Sequence, residues 1–281
     1  MYFQPRDIEA AVAVLSEHGG TVLAGGTDVF PAQGEAPFRG AVIDLSRVAG
    51  LAGIHGDSTG LRIGAGTTWS DLVRAPLPAG FDGLKAAARE IGSIQIQNRA
   101  TIGGNICNAS PAADSIPPLL TLDAVVELVS PRGLRRIALA DFVLGNRRTA
   151  RAPDELLTAV HVPADAASFA STFAKLGARR YLVISIAMVA VAMDIGKDRA
   201  VRQARVAVGA CSAVARRLAA LEAALVGART DGGLAGLVRP EHLAPLTPID
   251  DIRATADYRR DAGLTLIGRA LEDCAGAAHH A

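Results

Sequence analysis

The chain has 281 residues, half of them apolar and a fifth charged, with 29 lysines and arginines against 28 aspartates and glutamates. That composition describes a globular protein able to bury a sizeable core and excludes general disorder. The near-neutral balance supplies no field that would draw the chain to nucleic acid or to an anionic membrane, so neither is an expected partner.

In chain order, Asp7 stands where a carboxylate caps a helix, and Ile8, Ala11, Val12 and Leu15 recur at helical intervals until Gly19-Gly20 ends the pattern. TVLAGGTDVF then predicts a short buried strand running into a glycine turn, and GAVIDLSRV, residues 40–48, a second strand. LRIGAGTTWSDLV, 61–73, predicts a strand followed by a helix that Thr68 or Ser70 caps, and GLKAAAREIG, 83–92, another helix. DAVVELVSPRGLRRIALADFV, 123–143, has the two runs and central break of a β-hairpin, and ELLTAVHVP, 155–163, alternates as a strand that Pro163 stops. FAKLGARR and YLVISIAMVAVAMDI read as two more strands, after which Ser212–Val226 and the region beyond RPEHL turn alanine- and leucine-rich with helical spacing. The mixed order predicts an α+β protein: a first domain over 1–170, itself made of two α/β subdomains split near 55–60, and a smaller domain of antiparallel sheet plus helices over 171–281.

Two glycine loops carry the chemistry. In Val22–Val29, VLAGGTDV, two glycines directly after a strand let consecutive backbone N–H groups converge on an anion, and Thr27 adds a hydroxyl. The alternative is a plain tight turn. Thr101–Asn105, TIGGN, repeats the pattern, also without lysine. Neither loop is a Walker phosphate loop or a Rossmann fingerprint, and GAGTTW at 64–69 lacks the third glycine of the latter. Together the loops predict backbone donors gripping an extended diphosphate. Asp114, beyond the second loop, would then accept from sugar or ribityl hydroxyls, or would cap the helix of ADSIPPLL.

AGGTD, followed about eighty residues later by TIGGNICNASPAAD, resembles the FAD-binding medium subunit of the molybdenum hydroxylases, the family of xanthine dehydrogenases and carbon monoxide dehydrogenases. The similarity runs through FAKLGARR and the alanine-rich C-terminal region. It implies an FAD-binding domain of the vanillyl-alcohol-oxidase (PCMH) type followed by a CO-dehydrogenase-flavoprotein-like C-terminal domain. By this resemblance Val22, Leu23, Ala24, Gly25, Gly26, Thr27, Asp28 and Val29, with Thr101, Ile102, Gly103, Gly104 and Asn105, hold the diphosphate. Asp114 meets a hydroxyl of the flavin's sugar chain. Leu157 and Lys175 lie near the isoalloxazine, unless Lys175 is a solvated strand lysine.

The resemblance also implies an oxidoreductase component. Its expected partners are a molybdopterin-binding large subunit and a small subunit with [2Fe-2S] clusters, in a dimer of heterotrimers. Electrons would leave the clusters through FAD for NAD, oxygen or a quinone-linked carrier. The rival readings are a stand-alone flavin oxidase or reductase of the same fold, which the absence of an evident acid–base pair disfavours, and a non-catalytic assembly protein, against which the intact glycines stand. Cys107, Cys211 and Cys274 are scattered, so a chelating cluster within this chain is excluded and a cytoplasmic location is expected. The N-terminal residues lack the pattern of a secretory leader, and the longest apolar run, 181–193, is too short to span a bilayer. Cys107 is expected as a packing residue. Ile91 stands where some relatives place an aromatic against adenine, and Tyr181 is either a core tyrosine or a neighbour of the flavin ring.

Overall fold

The structure is a computed structural model that describes residues 1–278; the last residues of the expected C-terminal domain, 279–281, lie outside the described residues. The chain opens with β1 (Tyr2–Phe3), α1 (Ile8–His18), β2 (Thr21–Leu23), α2 (Val29–Gln33) and β3 (Val42–Asp44). These three strands form a parallel sheet in the order β1-β3-β2. The Asp7 carboxylate caps α1 by accepting from the Ala10 amide at 2.7 Å. The strand expected over 40–48 is cut to three residues because Asp44 turns the chain, its carboxylate accepting from the Ser46 amide at 2.8 Å.

A second sheet follows. Its elements are β4 (Ile54–Asp57), β5 (Gly60–Gly64), α3 (Trp69–Arg74), α4 (Asp82–Glu90), α5 (Ile94–Gln97), α6 (Ile102–Asn108) and α7 (Ile116–Thr121). The hairpin β6 (Val125–Ser130) and β7 (Gly133–Ala138), then α8 (Leu139–Phe142), β8 (Val143–Gly145), β9 (Arg148–Thr149), β10 (Leu156–Pro163) and α9 (Ala164–Ala167) complete it. The main strands pair antiparallel in the order β4-β5-β10-β6-β7. Thr68, rather than Ser70, caps α3, accepting from the Asp71 amide at 3.2 Å. As the central strand, β10 buries Leu156 to Val160 on both faces instead of alternating. Glu127 of β6 is locked beneath it by Arg62, Arg136, Thr158 and His161 at 2.8–3.2 Å.

The remaining strands are β11 (Ala170–Leu176), β12 (Ala187–Ile195), β13 (Val201–Gly209) and β14 (Arg216–Arg217), joined in an antiparallel sheet with α10 (Ala219–Leu225) and α11 (Ala256–Ala278). On β12, Ala187, Val189, Val191 and Met193 face a core shared with Leu221, Leu225, Ile267 and Leu271 of the two helices. The alternate residues Met188, Ala190 and Ala192 are equally buried on the other face, where α7 and α4 pack. Two expectations need correction. Residues 181–186 are not strand, because Ser185 bonds to Asp114 and the Ile186 carbonyl accepts from buried Arg259 at 2.6 Å. Helix does not fill 212–226 either: Arg216 and Arg217 pair with β13, and the helix starts only at Ala219.

Candidate functional site

The first glycine loop leaves β2 and enters α2. A β-carbon on Gly25 would stand 2.0 Å from the Arg99 carbonyl oxygen, and Gly26 has φ +75°. Both glycines are therefore demanded by the local fold. Among the described residues, no acceptor in the chain takes the amides of Gly25, Gly26, Thr27 or Asp28, which leaves four neighbouring donors open.

The second loop forms the N-terminus of α6, with Thr101 as cap. Here the amides are already taken. Ile102 donates to the Thr67 carbonyl and Gly103 to the Ala65 carbonyl, at 3.0 and 2.9 Å. Gly104 donates to the Thr101 hydroxyl at 3.1 Å and Asn105 to the Thr101 carbonyl at 3.0 Å. Gly103 touches Ala65 so closely that a β-carbon would lie 2.7 Å from the alanine methyl. Gly104 alone among these four glycines faces open space, with nothing but the Thr101 hydroxyl at 3.0 Å.

Between the two loops lies a cavity of about 310 Å³, within the range of small-molecule sites. It is lined by Val22, Ala24 to Val29, Thr101, Gly103, Gly104, Asn105 and Leu157 from the predicted set. Leu23 and Ile102 lie beneath it in the core. Ile91 and Ile96 add apolar wall, and Cys107 is half-buried along it, its thiol pushed up to about 11 by burial. Sequence reasoning missed Ile96, Asn108, Arg151 and Glu155; the basic run RRTAR at 147–151, just ahead of a predicted strand, was the available signal for Arg151.

Asp114 and Lys175 do not line this cavity. They pair with each other at 2.7 Å, and the Ser185 hydroxyl donates to the second Asp114 oxygen at 2.5 Å. Asp114 is 6 % exposed, and burial raises its pKa against the pull of Lys175. Ser115, not Asp114, occupies the cap position of α7, and it donates to the Asn105 side chain at 2.6 Å. Lys175 is no solvated strand lysine, since its side chain is 7 % exposed. It borders a second cavity of about 370 Å³ that includes Glu90, Phe173, Arg179 and Arg180. Tyr181 is neither core nor wall: it is 61 % exposed, with the Arg180 guanidinium 5.3 Å from its ring centre.

Four open amides beside a roomy glycine, backed by apolar wall, suit an extended ligand with an anionic linker and flat ends. Architecture and cleft define a two-part α+β scaffold in which a glycine-lined groove lies between two backbone loops. Residues 1–165 match the family model for the FAD binding domain in molybdopterin dehydrogenase, and 172–274 that for the CO dehydrogenase flavoprotein C-terminal domain. The chain belongs to the FAD-binding medium subunits of the molybdenum hydroxylase family. It is 35 % identical to the nicotinate dehydrogenase FAD-subunit of Eubacterium barkeri over 66 % of this chain and 65 % of that one, so that match spans just under two thirds of the relative. Identity with the nicotine 6-hydroxylase medium subunit of Paenarthrobacter nicotinovorans is 31 %, over 96 % of this chain and 95 % of the relative. A solved carbon monoxide dehydrogenase from Hydrogenophaga pseudoflava superposes with TM-score 0.87 at 30 % identity, covering 98 % and 96 % of the two chains. Among the described residues no helix is long and apolar enough to cross a membrane.

Proposed function

We propose that this chain is the FAD-carrying electron-transfer subunit of a molybdopterin-dependent dehydrogenase or hydroxylase. Its partners in this reading are a molybdopterin-binding large chain and a small chain with [2Fe-2S] clusters, in a cytoplasmic dimer of heterotrimers. Electrons enter from the partner's clusters and leave to NAD, oxygen or a quinone-linked acceptor. The domain division follows the same reading: cofactor binding over 1–170 in two parts split near 55–60, and a C-terminal domain from 171.

The observation that carries the proposal is the cleft itself, with the unpartnered amides of Gly25 to Asp28 on one wall and Gly104 open on the other. A neutral N–H donating to a charged oxygen contributes about 1.5–3 kcal/mol, so a few such donors suffice to hold a diphosphate. FAD, when bound, supplies a carrier able to take electrons singly and release them in pairs. In this arrangement the 24–28 loop binds the anionic linker, Thr101 fixes the backbone of the opposite wall, and Ile91, Ile96 and Leu157 exclude water from flat rings. Asp114 holds Lys175 in a buried, fixed position at the neighbouring cavity.

The test is reconstitution. The purified chain should take up equimolar FAD with flavin absorbance, and co-expression with candidate partner chains should yield a stable complex that reduces one of the named acceptors. A folded chain that takes up no FAD overturns the cofactor assignment, and steady turnover of a small substrate by the chain alone overturns the subunit assignment.

A further inference from the structure

Three charged side chains line the cleft: Asp28, Glu155 and Arg151. Asp28 is solvent-exposed at the edge. Glu155 is buried and fully engaged, accepting from Arg135 Nε and Nη2 at 2.5 and 2.8 Å and from the Ala152 amide at 2.7 Å. Its charge is thereby neutralised from behind the wall.

Arg151 differs from both. Its Nη1 donates to the backbone carbonyls of Glu155, Ala152 and Pro153 at 2.7, 3.3 and 3.4 Å, which pins one corner of the guanidinium to the turn leading into β10. Among the described residues no carboxylate lies within ion-pair distance of it, and its Nε and Nη2 have no acceptor. Cys107 and Arg151 both line the cleft. Arg151 is thus a half-buried, pre-positioned cation opening onto the cleft with no ion-pair partner among the described residues; the nearby Asp154, held low chiefly by its bonds to Arg132 and in part by the field of Arg151, is already engaged by Arg132.

Resting on the FAD reading above, we propose that Arg151 is a diphosphate-binding residue of this subunit, supplying the positive charge that the glycine loops lack. The negative charge of FAD resides on its diphosphate, so an unpaired guanidinium on the wall has one charged group to meet. A planar donor fork held at one corner retains two directed donors for phosphate oxygens. The open amides of Gly25 to Asp28 then provide neutral donors and Arg151 the charge.

The experiment is a fluorescence titration of the apo chain with FAD, and by competition with ADP, for wild type, Arg151→Gln and Arg151→Leu, with thermal unfolding run in parallel. Wild-type affinity for both ligands should fall with added salt. Either neutral variant should bind FAD and ADP roughly 10- to 100-fold more weakly, by the same factor, with a flatter salt response. A folded neutral variant with wild-type FAD affinity overturns the proposal, as does a loss confined to FAD with ADP unchanged. Should neither variant fold, a salt-independent wild-type affinity overturns it and a steep salt dependence of both ligands supports it. Failure of the underlying reading looks different, because wild type itself would then bind no FAD.

Discussion

The two glycine loops are nearly alike in composition and opposite in physical state. In the first, residues 24–28, the chain folds against Arg99 and Ala100 and leaves four consecutive amides without acceptors among the described residues. In the second, residues 101–105, every amide from Ile102 to Asn105 is consumed in building the start of α6, and what remains for a ligand is open space at Gly104. One loop supplies donors and the other supplies room. A pair of glycines thus marks a place where backbone must come close, without saying whether the neighbour is a ligand or the protein's own chain.

The sharpest way to break this comparison is to add a side chain to each loop. Gly25→Val would drive a β-carbon into the Arg99 carbonyl, a backbone atom unable to yield, so we expect destabilisation of about 5 kcal/mol or more and a fall in Tm of roughly 10–20 °C. Gly104→Val meets only the Thr101 hydroxyl, so its Tm should stay within roughly 2–4 °C of wild type. Its FAD affinity should nonetheless fall about 100-fold or more, because the branched side chain blocks the approach to several donors at once. Differential scanning calorimetry and flavin titration on both variants check this, and equal loss of stability in the two would dissolve the distinction.

A second contrast pairs the aspartates near each loop. Asp114→Asn removes the ion-pair partner of buried Lys175, a change that costs about 3–5 kcal/mol, or roughly 6–20 °C of Tm. The double variant Asp114→Asn, Lys175→Met should recover most of it, since the uncompensated charge is the source of the cost. Asp28→Asn changes an exposed carboxylate with no partner among the described residues and should leave stability within about 0.5 kcal/mol. Thermal melts of the three variants beside wild type decide it.

Acid sensitivity separates the scaffold from the loops. Burial pushes the Glu127 carboxyl up, but hydrogen bonds from His161, Arg136, Thr158 and Arg62 outweigh it and hold the pKa at about 2, against an ordinary value of 4.5. A folded-state pKa below the unfolded one gives stabilisation that is fully present above pH 4.5 and is lost as pH falls through about 2. Urea midpoints measured across that window should decline in wild type and decline less steeply, from a lower plateau, in Glu127→Gln, where other depressed carboxylates such as Asp251 still titrate.

How much of this was legible before the coordinates follows the range of the interactions. The Asp7 cap, the α3 cap narrowed to Thr68 or Ser70, the β6–β7 hairpin and the end of β10 at Pro163 were readable because each is decided within a few residues by capping and turn chemistry. The cleft-lining glycines were readable as a pair of loops, and the family resemblance was visible in them. The occupation of the α6 amides was not readable, since their acceptors on Thr67 and Ala65 come from a segment some thirty-five residues earlier, set beside the loop only by the sheet. Asp114 finds Lys175 and Ser185 across 61 and 71 residues of chain, with no local period to announce it. Arg151 escaped for a related reason: a cation in a basic run reads as solvated surface until the turn at 152–155 is seen to pin it inward.

The smallest effects come from the two threonines, and they refine the comparison most closely because the residues are identical. Thr101 caps α6, accepting from the Gly104 amide at 3.1 Å, so Thr101→Ala should lower stability by about 1 kcal/mol, roughly 2–4 °C in Tm. It also frees the Gly104 amide toward the cleft, and any FAD bound by the folded fraction should be held no more weakly than in wild type. Thr27 sits among the open amides with its hydroxyl bonded to nothing in the chain among the described residues. Thr27→Ala should therefore leave Tm within about 1 °C while weakening FAD by roughly 3- to 10-fold, the worth of one hydroxyl donor to a charged oxygen. Opposite outcomes, with Thr27 governing the melt and Thr101 the affinity, would mean that the donor wall and the structural wall have been assigned the wrong way round.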